Sequence, residues 1–204
     1  GVYIQACMGG AHGDFHLIVL APISVQEMHD HVALGFDLAF KYRNPALILA
    51  DGAIGQMMEK VVLAPQRPRK TNEEIAEECK EWAACGKGNR KERNIITSLE
   101  LQSEVMEKIN QRLQAKYKAL EENEVRYEAI NCDDADYVIV AFGSSARICS
   151  ATVELARAEG LKVEDVRLAV NGAAPVEHYG RQGGMLFAPD EVLVALKEKL
   201  INKK

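Results

Sequence analysis

The sequence predicts an α/β fold with parallel sheets, and two stretches of the chain carry that prediction. Residues 17–50 have the pattern of strand, helix and strand, a βαβ unit that implies a right-handed crossover between parallel strands. Residues 137–163 repeat that order. The stretch between them has helical periodicity and lacks strand signals, so we expect two α/β regions joined by a helical linker.

The first α/β region is delimited by local start and stop signals. The apolar run Leu17–Ala21 predicts a buried strand ended by a proline, and Ser24 with Glu27 forms a capping box for the next helix. That helix is expected to end near Tyr42, and the strand Ala46–Ala50 follows. Apolar residues at three- and four-residue steps predict the inward face of the helix: Val25, Met28, Val32, Phe36, Ala39 and Phe40.

The middle of the chain predicts a linker and a long helix. Prolines, a basic cluster and glycines surround one helix in residues 63–93, with Thr71 and Glu74 as its capping box. Its buried stripe would be Ile75, Cys79 and Trp82. A second helix is expected from about Ser98 to Glu124, with a narrow stripe formed by Leu101, Val105, Ile109, Leu113, Tyr117 and Leu120. Its length of about 40 Å favours packing across a domain or a partner.

The last region combines three predicted strands with two helices. We expect strands at Tyr137–Phe142 and Leu161–Val163 and a weaker one at Val176–Tyr179, with a helix from about Ala146 to Ala158. Glu164–Leu168 has a helical pattern. A proline in the first turn opens a final helix, whose inward residues would be Val192, Leu193, Leu196 and Leu200.

Composition excludes several classes of function. The net charge of −5 and the pI near 5.6 argue against nucleic acid as a partner. The longest apolar runs have about six residues against the roughly 20 that span a bilayer, so no membrane partner is expected. The five cysteines include no C-x-x-C pair, which favours the cytoplasm and argues against an iron–sulfur cluster or structural zinc held by this chain alone.

Four places could carry chemistry, and each has a structural alternative. His12 and Asp14 lie in a glycine-rich loop that would bring them close to a ligand, or the loop only leads into the strand. Asp51 follows a strand at the usual ligand edge, or caps the next helix. Gly143–Ser145 offers helix amides to an anion, with simple capping as the alternative. Arg181 could face an anion or a partner carboxylate, or lie in a flexible loop.

The chain resembles the α subunit of 2-oxoacid:ferredoxin oxidoreductases over nearly its whole length. The matching motifs in the first region are GGAHGDFHLIVLAPISVQEM at 9–28, AFKYRNP at 39–45 and ILADG at 48–52. Near the end, EDVRLAVNG at 164–172 and PVEHYGRQGG at 175–184 are similar to the branched-chain, 2-oxoisovalerate type. The resemblance implies a thiamine-diphosphate enzyme that decarboxylates a 2-oxoacid, passes two electrons to ferredoxin through iron–sulfur clusters and transfers the acyl group to coenzyme A.

The resemblance also implies how the chain is divided. Residues 1–62 match the back half of the pyrimidine-binding domain, residues 63–93 a linker with one helix, and residues 94–204 a long helix with a transketolase C-terminal-like parallel-sheet domain. The family's catalytic glutamate would lie upstream of residue 1, so no catalytic residue is expected in this chain and the isolated chain is expected to be inactive. A non-catalytic domain that only binds other subunits is the alternative.

Cofactors and partners follow from the same resemblance. His12 and Asp14 would lie near the thiamine ring, while Asp51 and Arg181 would face substrate or another subunit. Thiamine diphosphate and Mg²⁺ would sit at the interface with a partner subunit, and the iron–sulfur clusters would belong to other subunits. The chain alone would hold none of these groups.

Two further expectations concern completeness of the fold. Parallel sheets are normally covered on both faces, so the strands at Leu17 and Ala46 should be covered by another copy or a further segment, and the chain is expected to be an oligomer. In the family pattern a few dozen residues separate the positions matching Val163 and Glu164. We therefore expect a missing segment at that junction, or else a shortened domain.

Overall fold

The computed structural model of the protein describes residues 2–7, 9, 15–84, 86–88, 91–130, 132, 135–161, 163–166, 177–181 and 185–201. The chain forms two compact units, one of residues 1–62 and 118–204 and the other of residues 63–117. Both sheets lie in the first unit. The predicted domain boundaries at 62/63 and 93/94 stay predictions.

The first sheet is the predicted βαβ unit. After helix α1 (Val2–Cys7), strand β1 (Ile18–Leu20) leads through helix α2 (Val25–Tyr42) to strand β2 (Ala46–Ile48). The two strands pair in parallel, which confirms the parallel α/β prediction for this region. The short helix α3 (Gly52–Gln56) follows.

Local capping interactions fix the two ends of α2, at the places that the sequence predicts. The Ser24 hydroxyl accepts a hydrogen bond from the Glu27 amide at 3.1 Å, and the Glu27 carboxylate accepts one from the Ile23 amide at 2.9 Å. At the other end Arg43 takes a left-handed conformation, and its amide donates to the last carbonyls of the helix. The predicted cap and helix end are both confirmed.

The predicted inward face of α2 is wrong for three of its members. The helix buries Gly35 and Leu38, whereas Val32, Phe36 and Phe40 are exposed. Because Gly35 has no side chain, the helix approaches β2 so closely that a Cβ there would lie 3.7 Å from that of Ala46. Close approach along this glycine face turns the aromatic stripe away from the sheet.

The helices of residues 63–117 differ from the sequence expectations in length and burial. Helix α4 (Asn72–Glu78) has the predicted Thr71–Glu74 capping box. Ile75, which the sequence places in the buried stripe of this helix, is exposed. Helix α5 (Ser103–Glu124) begins five residues late, since the Glu100 carboxylate accepts hydrogen bonds from the next two amides outside the helix. None of the helices among the described residues is long and apolar enough to cross a bilayer.

The second sheet has the order β3-β5-β4, formed by β3 (Ala129–Ile130), β4 (Tyr137–Val140) and β5 (Val163–Val166). Strand β5 runs parallel to β4 and antiparallel to β3. The predicted helix at 164–168 is therefore wrong for residues 164–166, because pairing with β4 overrides the local helical pattern.

Two other predictions bear on this sheet. Residues 177–179 form no strand, and Val176 lies outside the described residues, so the weaker strand predicted there is wrong for 177–179. Val163 and Glu164 occupy consecutive register positions in β5. The missing segment between them stays a prediction.

Helices α6 (Gly143–Ala158) and α7 (Pro189–Leu196) cover one face of the second sheet. Helix α6 begins three residues earlier than expected, and Pro189 opens α7 as predicted. Buried residues of the two helices form one cluster against Tyr137 and Ile139: Val153, Ala156, Leu193 and Leu196. A second cluster around Ala141 and Cys149 receives Ile23 from the first α/β region, so apolar packing joins the two regions.

Glu124, the last residue of α5, ties that helix to the end of α2. Its carboxylate accepts hydrogen bonds from Lys41 Nζ at 2.6 Å, Tyr42 Oη at 2.7 Å and Arg126 Nη2 at 3.1 Å. These contacts, with Lys41 contributing most, lower the pKa of Glu124 to about 2. The ionised form of the Glu124 carboxylate therefore stabilises the folded structure.

We expect Glu124→Gln to lower stability at neutral pH and to lose much of that effect in acid. The native pKa of Glu124 lies below its unfolded value, so its contribution is complete above about pH 4.5 and is lost as the pH falls towards about 2. Urea unfolding of both proteins at several pH values measures this. Glu122→Gln is the control, because Glu122 is on the same helix and lies 3.8 Å from Lys118 in an exposed ion pair. A gap between wild type and Glu124→Gln that does not narrow in acid would contradict the assignment.

Candidate functional site

The carboxyl edge of the β1–β2 sheet is the candidate site, because open parallel sheets bind ligands outside the carboxyl ends of their strands. Ser24 follows β1 and starts α2, and Asp51 follows β2 and starts α3. The start of α6, from the second α/β region, reaches the same edge. Three helix N-termini therefore meet near one another.

Asp51 joins two of these helix starts. Its Oδ1 accepts hydrogen bonds from the amides of Ala53 at 2.9 Å and Ile54 at 3.0 Å, at the start of α3. Its Oδ2 accepts one from the Ser144 amide at 3.0 Å, at the start of α6. The capping alternative for Asp51 is therefore what the structure contains, and the same carboxylate caps a second helix across 93 residues.

The environment of Asp51 favours its charged form. Burial alone would raise the pKa of Asp51, but the hydrogen bonds from Ser144, Ile54 and Ala53 together lower it. Two helix N-termini carry partial positive charge, which acts in the same direction. Asp51 is a fixed anion at neutral pH and is unsuited to take up a proton there.

The Glu59 carboxylate binds an amide at the start of α2, as Asp51 does at the starts of α3 and α6. Its Oε2 accepts a hydrogen bond from the Val25 amide at 3.0 Å, and its Oε1 lies 2.6 Å from Arg147 Nη2 of α6. The hydrogen bond from Arg147, followed by that from Val25, lowers the pKa of Glu59. Sequence reasoning missed Glu59 and Arg147, since neither belongs to a local motif and the two meet only in the folded chain.

The Gly143–Ser145 segment has the backbone conformation of an anion-binding turn. The anion bound there is the carboxylate of Asp51 in the same chain. Gly143 has a φ of 59°, and the residue before it supplies no side-chain cap. The Ser144 amide donates to Asp51 in place of a local cap. An external anion could bind this amide only by displacing Asp51.

The other predicted site residues lie apart from this edge or outside the described structure. Arg181 lies 3.4 Å from Glu191 Oε1, at the start of α7, and both side chains are partly exposed. A carboxylate of the same chain thus occupies the place that we predicted for a partner's carboxylate or an anion. His12 and Asp14 lie outside the described residues, so their predicted place near the thiamine ring stays a prediction.

The described residues fit neither a diphosphate group nor its metal ion. Carboxylates of the chain itself bind amides at the starts of α2, α3 and α6, and would repel a diphosphate there. Within the described ranges there is no group of three or more His, Cys, Asp or Glu side chains that could hold a metal. This edge can hold helices in place and orient the β2–α3 turn.

We expect Asp51→Ala to destabilise the protein by about 1–3 kcal/mol, because three backbone amides lose their acceptor. Asp51→Asn should cost less, since one amide oxygen remains. The wild-type advantage over Asp51→Asn should shrink as the pH falls below about 4, because the native pKa is lowered and the contribution depends on ionised Asp51.

Urea unfolding measures these differences. Asp190 provides the matched control, as it lies exposed in the first turn of α7. Equal stability of Asp51→Ala and Asp190→Ala would contradict the bridging role of Asp51.

Relatives of known name match nearly the whole chain. Ketoisovalerate oxidoreductase subunit VorB of Methanothermobacter marburgensis is 45% identical over 192 residues, which cover 93% of this chain and 53% of that protein. The VorB of Methanothermobacter thermautotrophicus is 38% identical, with 97% of this chain and 64% of that protein covered. 2-Oxoglutarate synthase subunit KorA of Methanocaldococcus jannaschii is 32% identical over 81% of this chain and 49% of its own length. The chain thus spans about half to two thirds of these relatives.

A solved structure confirms the fold. The chain superposes on 2-oxoglutarate:ferredoxin oxidoreductase from Magnetococcus marinus with a TM-score of 0.68 and 18% sequence identity, over 96% of this chain and 44% of that one. That structure contains 2-oxoglutarate, coenzyme A and succinyl-CoA. At this identity the likeness supports the architecture alone.

The family assignment comes from the sequence. The model of the family described as pyruvate flavodoxin/ferredoxin oxidoreductase, thiamine diphosphate-binding, matches residues 3–129, which is more than half of the chain. Together with the subunits above, this match confirms the resemblance to 2-oxoacid:ferredoxin oxidoreductases. The chain belongs to the pyruvate flavodoxin/ferredoxin oxidoreductase family and contains sequence of its thiamine diphosphate-binding domain.

Proposed function

We propose that this chain is part of the α-type subunit of a cytoplasmic complex that oxidatively decarboxylates a 2-oxoacid to acyl-CoA and CO₂, with ferredoxin as electron acceptor. The observation that carries the proposal is 45% identity to a ketoisovalerate oxidoreductase subunit over 93% of the chain. The two ketoisovalerate-type relatives are more similar than the 2-oxoglutarate-type relative at 32%. The substrate we propose is therefore 2-oxoisovalerate.

The geometry of the candidate edge favours a structural role for this edge within that complex. Asp51 and Glu59 are anions held by hydrogen bonds to helix amides. These carboxylates would repel a diphosphate at this edge, which favours a partner subunit as the place where the diphosphate and its Mg²⁺ bind. We accordingly place thiamine diphosphate at the interface with a partner, the iron–sulfur clusters on other subunits, and Asp51 among the residues that shape the subunit interface.

The test is activity of the complex purified with all its subunits. We expect reduction of ferredoxin that requires both a 2-oxoacid and coenzyme A, with kcat/KM for 2-oxoisovalerate exceeding that for 2-oxoglutarate by about tenfold or more. Preference for 2-oxoglutarate would contradict the substrate assignment. Assembly without activity on branched, linear or dicarboxylic 2-oxoacids would favour the interaction-domain alternative.

The junction at Val163 and Glu164 supplies a separate proposal, that a segment present in a relative is missing here. The alignment with the M. thermautotrophicus subunit extends over 238 positions, at least 34 more than the 204 residues of this chain. The M. marburgensis subunit aligns over 192 positions, so the two relatives differ in this respect. We expect sequencing of the coding DNA to reveal additional codons between those for Val163 and Glu164. Directly adjacent codons would contradict the proposal.

A further inference from the structure

Two contacts made by carboxylates cross the end of the segment that the family model matches. That segment is residues 3–129, and it contains Asp51 and Glu59. Their partners lie beyond it, in the first two turns of α6. The Ser144 amide donates to Asp51 Oδ2 at 3.0 Å. Arg147 Nη2 lies 2.6 Å from Glu59 Oε1. Because the two partners are three residues apart, they share one side of α6, and that side is fastened to the matched segment at two points.

Each of these carboxylates also holds part of the carboxyl edge within the matched segment. Asp51 Oδ1 accepts hydrogen bonds from two amides at the start of α3. Glu59 Oε2 accepts one from the Val25 amide at the start of α2. Each side chain therefore uses one oxygen within the segment and the other towards α6. A displacement of α6 must either break these bonds or move the starts of α2 and α3 with it.

The packing around the two contacts favours movement of the parts together. Ile54 of α3 and Ala146 of α6 are fully buried, and Ile23 packs against the cluster that contains Ala146. Closely packed interiors transmit a displacement and absorb little of it. The starts of α2 and α3 follow the carboxyl ends of β1 and β2, where open parallel sheets bind their ligands. A shift of α6 would therefore reach the ligand edge of the first sheet.

We propose that Asp51 and Glu59 are positioning residues for the proposed reaction, through which α6 sets the geometry of the carboxyl edge. This inference rests on the proposed function and adds to it a dependence on a helix outside the matched segment. Neither carboxylate exchanges a proton in this role, because each acts through backbone amides and, for Glu59, through Arg147.

Two substitutions break the contacts from opposite sides. Asp51→Asn keeps the shape of the side chain, and its one oxygen can still accept from the amides of α3. Its NH₂ group would then face the Ser144 amide, donor against donor, so the bond to α6 is the one lost. Arg147→Gln removes the ion pair with Glu59 from the side of α6. Asp190→Asn is the matched control, since Asp190 lies exposed in the first turn of α7.

Hydrogen–deuterium exchange in the purified complex tests the geometry without an assay of activity. We expect faster exchange at the start of α6 in both variants, at the start of α3 in Asp51→Asn and at the start of α2 in Arg147→Gln. Asp190→Asn should match the unsubstituted complex at all three places. Changes confined to α6 in both variants would overturn the proposal, because the carboxyl edge would then not follow that helix.

Turnover is the second measurement, made where circular dichroism and sedimentation verify that every variant is folded and assembled. For Asp51→Asn and for Arg147→Gln, kcat per complex should fall about tenfold, while KM for the preferred 2-oxoacid stays within about twofold. The double variant should lose less than the product of the two losses, because both substitutions release the same helix.

The kinetic outcomes separate this proposal from the proposed function. An unchanged kcat for assembled Asp51→Asn would overturn the positioning role, and so would losses that multiply in the double variant, since two independent effects would not act through α6. Absence of activity in the unsubstituted complex would instead contradict the proposed function, and with it the role of both residues in the reaction.

Discussion

The carboxylate of Asp51 holds together helices that no local sequence would join. Helix α3 has five residues, too few for a helix to persist without tertiary support, and α6 starts without a side-chain cap of its own. Both helix starts leave amides that need an acceptor, and one side chain supplies it for both. Because the acceptor is ionised, its hydrogen bonds are stronger than those of a neutral cap. Together with the Glu59–Arg147 ion pair and the packing of Ile23, this contact positions α6 at the carboxyl edge of the first sheet.

Two other carboxylates repeat the arrangement elsewhere in the same unit. Glu59 joins the start of α2 to Arg147 of α6, and Glu124 joins the end of α5 to Lys41 and Tyr42 of α2. Apolar packing between the two α/β regions includes Ile23 against the cluster around Ala141. Apolar contact is not directional, whereas these hydrogen bonds fix orientation. The orientation of the two regions is thus fixed in part by ionised acceptors, and their lowered pKa values keep them charged at neutral pH and below.

Features encoded within a few residues could be predicted from the sequence, and features that depend on distant partners could not. The Ser24 and Thr71 caps, Pro189 and the parallel βαβ unit all follow from adjacent residues. Residues 164–166 of β5 have a local helical pattern, and their pairing with β4 has no local signal. At the candidate edge Asp51 was found from its place after a strand, but its contact with Ser144 spans 93 residues and has no motif. The inward face of α2 was misassigned because apolar periodicity does not show which of the apolar residues face the sheet.

The charges at the carboxyl edge bear on how the family's cofactor could be bound. Helix N-termini attract anions, and an edge with three of them is a suitable phosphate site on geometry alone. Here the carboxylates of Asp51 and Glu59 already lie at these helix N-termini. Each has a lowered pKa, so both are charged at neutral pH. A diphosphate approaching this edge would meet two fixed negative charges and few amides left to bind. The helix dipoles at this edge therefore stabilise carboxylates of the chain itself, and the edge is not a phosphate site in this structure.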